Sequence, residues 1–334
     1  MKGLRKYLTP FAPDQSGAVA VLYDLGGMIV ICDAGGCAGN VCGFDEPRWE
    51  HHKSAIFSAG LRDMDAIMGR DAEMVKKIAD AADRIEVNFI ALIGTPVPAV
   101  IGTDYSALAR MIRNRTGLPV LCIDTNGMEL YDRGEEKAYL ELYRTFAAEQ
   151  LPVVPGRVNV IGEALGSDTV HGDADKAGST DPLEAISRAS EAEKNIAASP
   201  SAAAAAKLLK ERFGTPYEIT YPGAERTLET AGAGIDFTGK RVLIVHQHVL
   251  ADSLRREVFS RGAADVTAAT WFSFAEEIRR PEDVFLKEED DFTALVKDGG
   301  YDVILADTAL EPLAPGFSGI WIDLPHFALS GRRT

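Results

Sequence analysis

Cys37 and Cys42 stand in the stretch Asp33-Ala-Gly-Gly-Cys-Ala-Gly-Asn-Val-Cys-Gly, with four glycines, Gly35, Gly36, Gly39 and Gly43, in nine residues. Thiolates are soft ligands, and two of them in a short loop suit an iron–sulfur cluster. Glycines let a backbone curve tightly and come close to a bulky group. Successive N–H groups in such a loop can form a concavity for anionic sulfur or phosphate. Spacing alone favours a strand-to-helix turn with two incidental cysteines, because two thiols are a less specific pattern than the four-cysteine cluster runs. The other candidates follow apolar runs: Thr95 and Asp104, Asp124 and Asn126, Glu163, His246 and His248, and His326 near the C-terminus. Asp124 and Asp307 read as turn formers or caps. His246 and His248 alternate, so at most one faces a given cleft, and a hydrogen-bonded structural histidine suits either. Cys32 and Cys122 read as small buried residues.

The elements that must position these groups alternate regularly. Residues 28–32, 88–93 and 118–123 are apolar runs that read as buried strands, and 71–84, 104–115 and 134–149 have helical spacing. A β-α rhythm with wholly apolar strands predicts a parallel sheet covered on both faces. Strands at 158–161 and 217–221, with helices at 182–197 and 202–212, form a second unit. Strands at 242–245, 265–269, 303–306 and 320–322, with a helix at 250–261, form a third. Residues 1–20 read as an irregular arm broken by Pro10 and Pro13, 95–98 as a loop, and 169–180 as an exposed Gly- and Asp-rich segment. Parallel sheets bind ligands at the carboxyl ends of their strands, which is where the candidates lie. The domain expectation is 1–150, 151–237 and 238–334.

Composition narrows the classes. With 334 residues the chain exceeds one ordinary core, and 46% hydrophobic and 25% charged residues are those of a globular protein. A net charge of −15 argues against nucleic acid or an anionic membrane as partner. The N-terminal stretch lacks an apolar signal core and no run spans a bilayer, so a reducing cytoplasm is the expectation, where cysteines signal metal or catalysis rather than disulfides. The sequence contains no G-x-x-x-x-G-K-[ST], no G-x-G-x-x-G after a strand, no G-x-S-x-G and no H-E-x-x-H.

The arm, the Asp33-Ala-Gly-Gly-Cys37 loop, Ile93-Gly-Thr-Pro-Val-Pro-Ala-Val-Ile-Gly-Thr-Asp104, Val158-Asn-Val-Ile-Gly-Glu163 and Gly239-Lys-Arg-Val-Leu-Ile-Val-His246 together resemble the nitrogenase component 1-type oxidoreductases over nearly the whole chain. The resemblance implies three successive Rossmann-like, doubly wound α/β domains. It implies that Gly35, Gly36 and Gly39 cradle an iron–sulfur cluster and that Cys37 ligates it. Two further family cysteines, level with 11–16 and with Thr95 or Pro96, have no counterpart here, and Cys42 is extra. Family members are two-fold or pseudo-two-fold dimers, so Cys37 and Cys42 from each of two chains would supply the four thiolates of one [4Fe-4S] cluster. Electrons would come from a separate ATP-hydrolysing iron-protein-type reductase and pass to a small molecule or metallocofactor in a cleft faced by Glu163, His246 and His326. The partner chain would be a second copy or a paralogue. A non-catalytic metallocofactor or tetrapyrrole carrier is the alternative implied by the two missing cysteines, and a small-molecule receptor of the periplasmic-binding type a weaker one.

Overall fold

The structure, a computed structural model, describes residues 5–62, 69, 71–162 and 182–331. Three sheets follow one another along the chain, and every strand pairing within them is parallel. The first contains β1 (Met28–Ile31), β2 (Ala55–Ser58), β3 (Ile90–Ile93) and β4 (Val120–Ile123) in the order β2-β1-β3-β4. The second contains β5 (Val158–Ile161), β6 (Lys194–Ala197) and β7 (Tyr217–Ile219) in the order β5-β6-β7. The third contains β8 (Arg241–Val245), β9 (Asp265–Thr270), β10 (Val284–Phe285), β11 (Val303–Ala306) and β12 (Ile320–Asp323) in the order β10-β9-β8-β11-β12. The central strands β1, β3 and β11 are buried at every position, as parallel strands covered on both faces must be. The α/β fold built on parallel sheets is therefore the one expected.

Three local expectations are corrected. Residues 14–20 are not irregular: Asp14–Leu22 is a helix buried at every position. Pro13 precedes its first turn, where a missing N–H costs nothing, so the proline marks a start rather than a break. With no polar face the helix shows no amphipathic stripe to read. The 95–98 stretch is likewise not a loop; Thr95 caps a helix over Pro96–Ile101 that begins on a proline. The helix expected over 182–197 is instead the short helix Pro182–Ser187, a 3-10 turn at Ala189–Glu191 and β6. A buried polar residue hides that strand: Asn195 pairs in register with Asn159, whose amide Nδ2 donates to Asn195 Oδ1 at 2.7 Å. The 169–180 segment lies outside the described residues.

The helix Tyr131–Phe146 packs against Asp14–Leu22, against the turn Pro200–Ala202 after β6 and against the helix Ala203–Phe213. Its crossing with Asp14–Leu22 is backbone to backbone. A Cβ on Gly134 would lie 1.6 Å from the Asp14 carbonyl oxygen, and one on Gly17 would lie 1.9 Å from that of Tyr131. In the third sheet a buried polar network joins His248, Asp283, Arg255 and Asp252. Asp283 accepts from His248 Nε2 at 2.9 Å, from Arg255 at 2.6 Å and from the Arg280 N–H at 2.7 Å, and Arg255 also reaches Asp252 at 2.6 Å. His248 Nδ1 accepts the Ala275 N–H at 3.1 Å, so His248 is the hydrogen-bonded structural histidine that its burial requires. Residues 6–8 are clipped to this unit: Glu289 accepts from the N–H groups of Lys6, Tyr7 and Leu8 at 2.8–3.1 Å.

Candidate functional site

After β1 the chain turns at Gly35 (φ 116°), a left-handed backbone that favours glycine. It then forms one turn of α-helix, Gly36–Asn40, continued by a π-helical turn, Val41–Asp45. Asp33 locks this loop, accepting the Ala38 N–H at 2.8 Å and the Ser58 hydroxyl. Val41 is wholly buried and anchors the turn. A Cβ on Gly35, Gly36, Gly39 or Gly43 would meet nothing within 4 Å, so this glycine face is open.

Cys37 and Cys42 are both half-buried. Five residues of helix, part α and part π, set them about a third of a turn apart. Their surroundings differ accordingly. Burial, then Asp33, pushes the Cys37 thiol up, opposed by the Gln15 amide; burial, then Glu46, pushes Cys42 up. Burial pushes Cys32 up to about 12, and Cys122 donates to the Tyr105 carbonyl at 3.3 Å; both stand apart from the loop.

Three segments meet beside the start of the Cys37 loop. Gln15, buried in its helix, carries an Oε1 with no hydrogen-bond partner. A Cβ on Gly127 (φ 70°) would lie 2.7 Å from that atom and 2.6 Å from Pro96 Cδ. Asp14 fixes the arrangement by accepting the N–H groups of Asn126 and Gly127 at 2.8 and 2.7 Å. Thr95 is buried and donates to the Cys32 carbonyl at 2.7 Å. The two positions level with family cysteines thus meet the Cys37 loop at one sheet edge, occupied by an amide and by Thr95-Pro96 instead of thiols. Gln15 escaped the sequence reading because the arm offered no thiol; its place in a helix beside Gly127 was the missing clue. Among the described residues no three His, Cys, Asp or Glu side chains converge as a metal-binding group. One chain therefore offers part of a cluster site: two thiols, a buried amide beside one of them and an open glycine face.

The second group of candidates sits where the carboxyl edges of the second and third sheets approach. His246 and His326 come together with ring centroids 4.6 Å apart, and His326 stacks on Phe272 at 4.4 Å. His246 Nε2 bonds the Pro325 carbonyl at 3.0 Å, which leaves Nδ1 as a lone pair with no partner. His326 Nδ1 accepts the Ala328 N–H at 3.2 Å. Burial holds His246 down at about 4, and burial followed by His246 holds His326 well below its usual range, so both rings are neutral. Gln247 donates to the Ala198 carbonyl at 2.9 Å, tying β8 to β6. Ala12 N donates to Ala328 O at 3.0 Å, and Gly331 lies against the Phe44 carbonyl, which ties this group to the cysteine loop. Glu163 lies outside the described residues. Glu135 was not singled out from sequence, although it is a lone carboxylate on the stripe Tyr131, Ala138, Tyr139 and Leu142.

Among the described residues no helix is long and apolar enough to cross a membrane. No curated protein matches this chain. Solved structures share the fold, among them one described as nitrogenase Cp1 at pH 6.5, 13% identical, covering 99% of this chain and 88% of its own with a TM-score of 0.71, and one as nitrogenase Cp1 at pH 5, 14% identical, covering 97% and 85% with a TM-score of 0.69. The family model described as nitrogenase component 1 type oxidoreductase matches residues 14–257, from the Gln15 helix through the cysteine loop and on past His246, and the chain belongs to that family.

Proposed function

We propose that this chain is one half of a two-chain iron–sulfur redox protein, with Cys37 and Cys42 of each copy as the ligands of a shared [4Fe-4S] cluster. The observation that carries the reading is the state of the loop edge. Two half-buried thiols stand there beside an open glycine face, and apolar side chains are exposed on the loop itself (Phe44), at the start of the helix after β3 (Val97) and on the turn after β4 (Met128). Exposed apolar groups gathered around partial ligand sets suit a surface that a second copy covers.

When bound, such a cluster supplies one-electron storage at a potential set by its surroundings. The chain's own residues hold and shield it. Gly35, Gly36 and Gly39 let the backbone approach, Val41 and Asp33 fix the loop, and Gln15 turns its amide N–H toward Cys37. Both thiols sit above the ordinary range, so loading displaces protons and is favoured by rising pH. A separate ATP-hydrolysing iron-protein-type reductase would deliver the electrons. A small molecule or metallocofactor at the His246–His326 group, with Glu163 nearby in sequence to β5, would receive them. Residues 1–150, 151–237 and 238–334 are proposed as three domains, one per sheet, acting in the cytoplasm where thiols stay reduced. The test is anaerobic reconstitution with iron and sulfide. The wild type is expected to hold a cluster that Cys37→Ala with Cys42→Ala loses, and a wild type that takes up no iron refutes the reading.

A further inference from the structure

Glu135 is a carboxyl that the redox reading above leaves unused, and its position is unusual. It lies on the inward face of Tyr131–Phe146 and keeps some accessible surface. Ser201, at the carboxyl end of the second sheet, donates to its Oε2 at 3.0 Å. Ser201 shares a hydrogen bond of 2.7 Å with Ser199. Ser199 in turn lies against Gly162 at the end of β5, where a Cβ would come within 2.3 Å of its hydroxyl. On its other side Glu135 meets the helix Asp14–Leu22, for a Cβ on Gly17 would lie 3.2 Å from the Glu135 backbone nitrogen. That helix turns Gln15 toward Cys37, and Ser16 donates to Asp45 in the cysteine loop at 2.7 Å. A single helix thus separates Glu135 from the thiol site, and a hydroxyl pair leads away from it.

Resting on the proposed redox function, we infer that Glu135, resupplied through Ser199 and Ser201, is the acid that delivers a proton to match each electron passed from the Cys37 site to a substrate at the junction of the sheets. The step balances as one electron and one proton. The substrate takes the electron, which the reductase-type donor supplied. The Glu135 O–H bond breaks and a bond from that hydrogen to the substrate forms. A solvent proton handed from Ser199 to Ser201 restores the acid. Burial pushes Glu135 up to about 8, Ser201 opposes the rise and Asp132 adds to it, so the group is loaded at neutral pH. Asp132, Tyr131 and Tyr139 on its own helix and Ser201 opposite are titratable or polar groups on its side; Asp14, the one charged residue of the crossing helix, is turned to Asn126 and Gly127.

The experiment uses the full chain, reconstituted with iron and sulfide, with dithionite as electron donor and no added substrate. Infrared titration with isotope-labelled glutamate is expected to show a carboxylic acid band that vanishes near pH 8 and is missing in Glu135→Gln. Potentiometry followed by EPR is expected to give a midpoint potential level below that pH and falling above it, and level throughout in Glu135→Gln. Ser201→Ala removes a group that favours the carboxylate, so it moves both transitions to higher pH; this decides the matter if Glu135→Gln does not fold. A level potential in the wild type, or the same fall retained in Glu135→Gln, overturns the proton assignment and leaves the cluster reading standing. A chain that takes up no iron overturns both.

Discussion

Gly134→Ala tests the helix crossing on which both halves of the site depend. The added methyl would start 1.6 Å from the Asp14 carbonyl oxygen, and backbone, unlike a side-chain tip, cannot rotate away. Ordinary van der Waals contact lies at 3.4 Å or more, so the helices must part by about 1.5–2 Å, the shortfall between those distances. Overpacking of this kind costs about 1–3 kcal/mol, and a clash with backbone belongs at the upper end, about 3 kcal/mol. The displacement would carry Gln15 off Cys37 and Glu135 off Ser201. Urea unfolding gives the energy, and the rate at which a thiol reagent labels Cys37 gives the displacement; the midpoint should fall and the labelling rate rise. Gly36→Ala is the control. Nothing lies within 4 Å of its added Cβ and its φ is not positive, so it should be neutral or stabilising by up to about 1 kcal/mol, the helix preference for alanine. A Gly134→Ala protein within about 0.5 kcal/mol of wild type, the usual range for substitutions away from packed features, would refute the reasoning.

Asp283→Ala leaves the wholly buried Arg255 with Asp252 alone and takes the acceptor from His248 Nε2, so unfolding of the third sheet should become easier by about 3–5 kcal/mol, read from thermal denaturation. Burial raises Asp283, but Arg255, the Arg280 N–H and His248 outweigh it and hold the carboxyl below its ordinary range. Its stabilisation is therefore complete above the unfolded-chain value and fades as pH falls through the lower folded one, so wild type and variant should converge in acid. Glu289→Ala should free residues 6–8, whose N–H groups it holds, and speed proteolysis there while the core unfolds at nearly the same urea concentration.

The parallel sheets were legible because MIVI in β1 and IALI in β3 are apolar at every position, a pattern that only double-sided burial explains. Asp307 was legible as a cap, and its side chain accepts the Ala309 N–H at 2.8 Å. The helix Asp14–Leu22 was not, since burial on all sides erases helical periodicity. Nor was β6, where the Asn159–Asn195 pair replaces an apolar contact by a hydrogen bond formed 36 residues away in sequence. At the site, the cysteine and glycine positions announced themselves by type. Gln15, Ser201 and Glu135 did not, because what distinguishes them is the company that elements of two separate sheets bring together.

Native mass spectrometry of the anaerobically reconstituted protein tests the shared-cluster claim most directly. The account predicts one species of two chains with four irons and four sulfides, which falls to cluster-free chains when Cys37 and Cys42 are replaced by alanine. A single chain that holds a complete cluster by itself, or a dimer that holds none, would contradict it.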